Sequence, residues 1–78
     1  MKQTRSLTTI AAEIRKDWQN MPPAARAYFG PMSSLNTVED NYGYDSGRSI
    51  VRYFLANAGT WRGEVARRIK AELKEMVK

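Results

Sequence analysis

The residues of this chain whose type and spacing could do chemistry are basic, and that chemistry is the non-covalent capture of an anion. In TWRGEVARRIKAELKEMVK, from Thr60 to Lys78, Arg67, Lys70, Lys74 and Lys78 recur three or four apart. At 100° per residue they fall within an arc of roughly 80° on one helix. Arg62 precedes them, and Arg48 and Arg52 stand four apart in the preceding segment. A guanidinium can grip a carboxylate or a phosphate through two parallel hydrogen bonds. Like charges four apart in a helix repel by only roughly 0.2–0.5 kcal/mol, so a merely solvated face can carry the same pattern. Two readings therefore stand for this ridge: a docking surface for an acidic partner, or a solvated face.

Covalent chemistry has little to work with. The chain has no cysteine and no histidine, which removes the thiolate nucleophile, the disulfide and the commonest general base and zinc ligand. Asp17, Glu39, Asp40 and Asp45 show no spacing that suggests paired acid–base work or a metal cage. The five glycines are scattered and form no phosphate-cradling loop. No catalytic residue, metal site, cofactor or small-molecule substrate is expected, and an enzyme is the least expected class. The net charge of +5 instead favours polyanions or acidic protein surfaces.

A second feature is aromatic. In YGYD, Tyr42 and Tyr44 flank Gly43. Either one tyrosine packs over the next helix start while Gly43 serves the turn, or the pair is an exposed anchor of the kind enriched at binding hot spots.

These residues must be positioned by a small all-α fold: one domain, residues 1–78, of about four helices. Ser6 is a plausible N-cap, and Leu7, Ile10, Ala11, Ile14 and Trp18 line one face of the first helix. Asn20-Met21-Pro22-Pro23 ends it, and Pro23 can open a second. Gly30-Pro31 is expected to break that second helix, with a further short turn through Leu35. Asn36 to Asp45 reads as a loop, and no strand is expected. Asp45 is the expected cap of SGRSIVRYFLANA, whose buried face is Ile50, Val51, Phe54, Leu55 and Ala58, with Arg48 and Arg52 outside. Ala58-Gly59-Thr60 then forms a short turn, Gly59 left-handed and Thr60 capping the last helix.

On that last helix Trp61, Val65, Ile69, Leu73 and Met76 span an arc of roughly 120°, with Ala66 and Val77 at its margin. Glu64–Arg68 and Arg68–Glu72 are spaced as intrahelical pairs. Gly63 is unusual in a first turn; close approach of another backbone is its simplest explanation, and turn flexibility is the other. The three-residue turn also fits a helix-turn-helix. Trp61-Arg62-Gly63-Glu64 at the helix start is a weak base-reading end, and the later ridge suits phosphate contact better. No segment approaches the roughly 20 apolar residues of a membrane span. The basic start is followed by no longer apolar run than Ile10-Ala11-Ala12, which is not a secretory signal, so a cytoplasmic protein is expected.

Three blocks, IAAEIRKDW, YGYDSGRSIVRYFLANA and TWRGEVARRIKAELK, resemble a family of small proteins from phages and other bacterial mobile elements. The likeness covers most of residues 10–74 and departs most at Met21 to Pro31. The family includes an anti-CRISPR acting on type I-C systems. The resemblance thus implies a stoichiometric inhibitor of the Cascade surveillance complex that blocks recruitment of target DNA. Its partners would be Cas protein subunits, with the guide RNA or DNA backbone as further candidates, in the infected host's cytoplasm. The resemblance assigns no contact residues. From the residues themselves the candidate surface is Arg48, Arg52, Arg62, Arg67, Lys70 and Lys74, with Tyr42 and Tyr44. A basic protein cannot mimic DNA, so it would have to bind acidic protein patches or an RNA backbone. The alternative is a small nucleic-acid-binding or regulatory module that uses the same ridge against phosphates.

Overall fold

The computed structural model describes residues 5–78; Lys2, part of the basic start, lies outside the described residues. Helix α1 runs Leu7–Asp17 and begins at the expected cap, where the Ser6 hydroxyl accepts from the Thr9 amide at 3.1 Å. Its predicted face is buried throughout: Leu7, Ile10, Ala11, Ile14 and Trp18. Helix α2, Pro23–Ser33, opens with Pro23 in its first turn, where a missing N–H costs nothing.

The predicted break at Gly30-Pro31 does not occur, and α2 passes through Pro31. A proline ring clashes with the Cβ of the preceding residue, and Gly30 has none. The helix ends one turn later, where the Ser33 and Ser34 hydroxyls donate to the carbonyls of Gly30 and Pro31. The extra turn puts Met32 in the core, and Leu35 follows it.

The loop after α2 contains a small hairpin that alternation could not reveal, because each strand is two residues long. Strand β1, Asn41–Tyr42, pairs antiparallel with β2, Asp45–Ser46, in the register Asn41↔Ser46 and Tyr42↔Asp45. The two-residue turn places Gly43 first, at φ +64°, as a type II′ hairpin requires. Asp45 is therefore a strand residue and not the cap. Ser46 caps α3, Gly47–Ala56, by accepting from the Ser49 amide at 3.1 Å.

The link to the last helix is also longer than expected. Helix α4 is Glu64–Met76, so residues 57–63 lie between the helices, and a three-residue helix-turn-helix turn is absent. Gly59 is not left-handed, and Thr60 does not cap; Gly63 is the N-cap residue, at φ +114°. Trp61 consequently lies ahead of the helix and not on its stripe. The buried face rotates to Ala66, Ile69, Leu73 and Val77, leaving Val65 and Met76 half-buried.

All four helices and the loop residue Val38 contribute to one buried apolar cluster. The two tryptophans join its ends. Trp18 stacks on Trp61 at 5.5 Å between centroids, with 9° between planes, and meets Phe54 edge-on. Among the described residues no helix is long and apolar enough to cross a membrane.

Candidate functional site

Each helix end exposes backbone groups without helical partners, and these decide which basic side chains remain outside. The last carbonyls of α4 are met by the arginines of α3. Arg48 Nη1 donates to the Met76 carbonyl at 3.1 Å, and its Nη2 donates to Glu39 at 2.7 Å. Arg52 Nη2 donates to the Val77 carbonyl at 2.9 Å. Cations at a helix C-terminus also meet the negative end of its dipole. Both arginines therefore act as clasps between α3 and the end of α4, and the expected two-helix ridge is divided.

Arg68 is drawn off the other way. It bonds Glu13 on α1, and Arg5 bridges the same carboxylate to Glu72. Arg5 meets Glu72 as a fork, Nε to Oε2 at 3.0 Å and Nη2 to Oε1 at 2.6 Å. Neither predicted intrahelical pair forms, because α1 supplies Arg68 with a better partner and Arg5 takes Glu72. The Arg5 and Arg68 guanidinia hold the Glu13 carboxyl below its ordinary value. The same two carboxylates hold Arg5 more firmly charged than usual. A carboxylate so locked is a structural clamp, the opposite of a general acid.

Arg62, Arg67, Lys70 and Lys74 remain together. With Trp61, Gly63, Ala66 and Ala71 they line an open depression of about 470 Å³ along α4. No carboxylate lines it. Among the described residues Arg62, Arg67 and Lys74 have no ion-pair partner.

Lys70 has a double position. Its Nζ donates to the Trp61 carbonyl at 2.6 Å and lies 5.9 Å from the centre of that indole. Burial lowers its pKa, and the charges of Lys74 and Arg62 lower it further. Lys70 therefore stands among like charges as well as partly out of water. Lys70 thus ties the 57–63 link to α4 as well as contributing charge. Trp61 is held from its other edge, where its Nε1 donates to Asp17 at 2.8 Å.

The tyrosines lie elsewhere. Tyr44 stands fully exposed at the hairpin tip, and Tyr42 is 49% exposed, so neither packs over the start of α3 as a core residue. Neither lines the basic groove. Sequence reasoning passed over Tyr53, exposed on α3 and stacked on Tyr28 at 5.3 Å. Its signal was its place opposite the buried face, next to Arg52.

The arrangement can hold an anion by charge and by hydrogen bonds from two guanidinia and two ammonium groups. No family model, curated protein or solved structure matches this chain.

Proposed function

We propose that this protein is a non-enzymatic inhibitor that docks on a type I surveillance complex of subtype I-C and blocks its recruitment of target DNA. The observation that carries the docking half is the carboxylate-free groove of Arg62, Arg67, Lys70 and Lys74 on a firmly braced helix. The choice of machine comes from the resemblance of the YGYDSGRSIVRYFLANA and TWRGEVARRIKAELK blocks to the mobile-element family.

A stoichiometric inhibitor needs a rigid body and a face that presents unpaired charge. The groove supplies the face, and the clasps at both ends of α4 supply the rigidity. Its positive sign directs it to acidic protein surfaces or to guide RNA, and away from the channel that takes DNA phosphates.

The test is a pull-down of purified type I-C complex on this protein, followed by target-DNA binding by the captured complex. Capture without DNA binding supports the reading; failure of capture at low salt overturns it. The alternative, a nucleic-acid-binding module, predicts duplex binding by the isolated protein that weakens steeply with salt.

A further inference from the structure

We propose that the groove beside α4 seats an acidic α-helix of a partner protein, its carboxylates against Arg62, Arg67, Lys70 and Lys74. The proposal rests on the docking reading above and names what docks.

Charge argues first. The groove presents four cations and no anion, so its charge is complemented by a negative occupant. A second copy of this chain does not supply one. Glu13, Glu39, Glu72 and Glu75 are in ion pairs, Asp17 accepts from Trp61, and Asp40 accepts from the Asn36 and Thr37 amides. Only Asp45 and Glu64 remain of the eight carboxylates, too few to complement the groove.

Spacing argues next. Arg67, Lys70 and Lys74 follow the i, i+3, i+7 row of a helix, with axial steps of roughly 4.5 and 6 Å. Carboxylates on one face of a second helix laid alongside repeat with the same steps. Gly63, Ala66 and Ala71 line the same depression with short side chains or none, which leaves room for a helix to lie along the cationic row. Arg62 and Arg67 are exposed, and each can take a carboxylate through two parallel bonds.

Single-stranded nucleic acid fits less well. It needs aromatic faces on which bases stack. The one aromatic lining the groove is Trp61, which is 2% exposed, with Trp18 stacked on its ring. The exposed tyrosines do not line the groove.

The test is amide NMR on the full chain with three probes. The first is an alanine-based helical peptide of about 20 residues, long enough to be helical alone, with glutamates in one i, i+3, i+7 row. The second is an isomer with the same glutamates spread around the helix, and the third is an oligothymidylate. The patterned peptide is expected to shift the Gly63, Ala66 and Ala71 amides and to bind more tightly than its isomer. Arg67→Glu with Lys74→Glu should weaken it on the order of tenfold or more, the effect of losing a charged hydrogen bond. Both replaced side chains are exposed and without an ion-pair partner among the described residues, so the fold should survive, as a cooperative melting curve would verify.

Equal binding of the two peptides, or groove shifts with oligothymidylate alone, overturns the proposal. Binding of the patterned peptide without capture of the surveillance complex leaves the groove assignment standing and removes the proposed machine. Capture that survives the double variant does the reverse.

Discussion

Three glycines show how a single residue type carries three different physical demands. Gly63 sits at φ +114° and ψ −179°, with nothing within 4 Å of where a Cβ would stand. Its demand is conformational, and Gly63→Ala should cost about 1–3 kcal/mol in chemical denaturation. Gly47 has an ordinary φ, but a Cβ there would lie 2.9 Å from the carbonyl oxygens of both Thr37 and Asp40. Gly47→Ala should also destabilise, by about 1–3 kcal/mol, as overpacking against backbone does. Gly30 is helical and stands directly before Pro31, where a Cβ would meet the proline ring, so Gly30→Ala should destabilise by about 1–3 kcal/mol. Gly63 was conspicuous in the sequence, yet close approach was the wrong cause, since residue type alone does not separate contact from dihedral. Gly47 was inconspicuous because the backbone it meets lies seven to ten residues away. The Ser6 cap, by contrast, was legible because everything it needs lies within three residues.

At the scale of elements, what was legible followed periodicity and what was missed depended on neighbours. The α1 stripe emerged whole. The α4 stripe differs from its periodicity because Trp61, which fits the helical spacing, is held by Lys70 and Asp17 in the link ahead of the helix. The hairpin was too short to have a period, and the reach of Arg48 and Arg52 to α4 has no local signature. The bracing between α1 and α4 makes a pH prediction. Glu13 is depressed in the folded state, so its ion pairs add stability above its ordinary value of 4.5, lost as pH falls through the lower folded value. Thermal melts should show the wild-type advantage over Glu13→Gln at neutral pH shrinking as the solution is acidified. The groove makes another prediction. Because Lys74 is one cause of the lowered Lys70 pKa, Lys74→Gln should raise it, as side-chain NMR titration of Lys70 would show. An unchanged titration would mean that burial and Arg62 set it without Lys74.

Over the whole molecule the charges are sorted. Most carboxylates are used inside the fold: on α1 and α4 they hold Arg5 and Arg68, on the loop they hold Arg48, and at the Trp61 link they hold the indole. The excess of cations expressed in the net charge of +5 is left partly on one side of α4. Composition announced the excess, but only the fold decides which cations are committed as clasps and which are presented. The central claim is that the presented set docks on a type I-C surveillance complex and denies it DNA. It is tested most directly by measuring target-DNA binding to the purified complex with the wild-type protein and with Arg67→Glu/Lys74→Glu. Wild type is expected to abolish DNA binding near one-to-one stoichiometry, while the folded double variant leaves it intact. Full DNA binding in the presence of wild type, or equal inhibition by the variant, would contradict it.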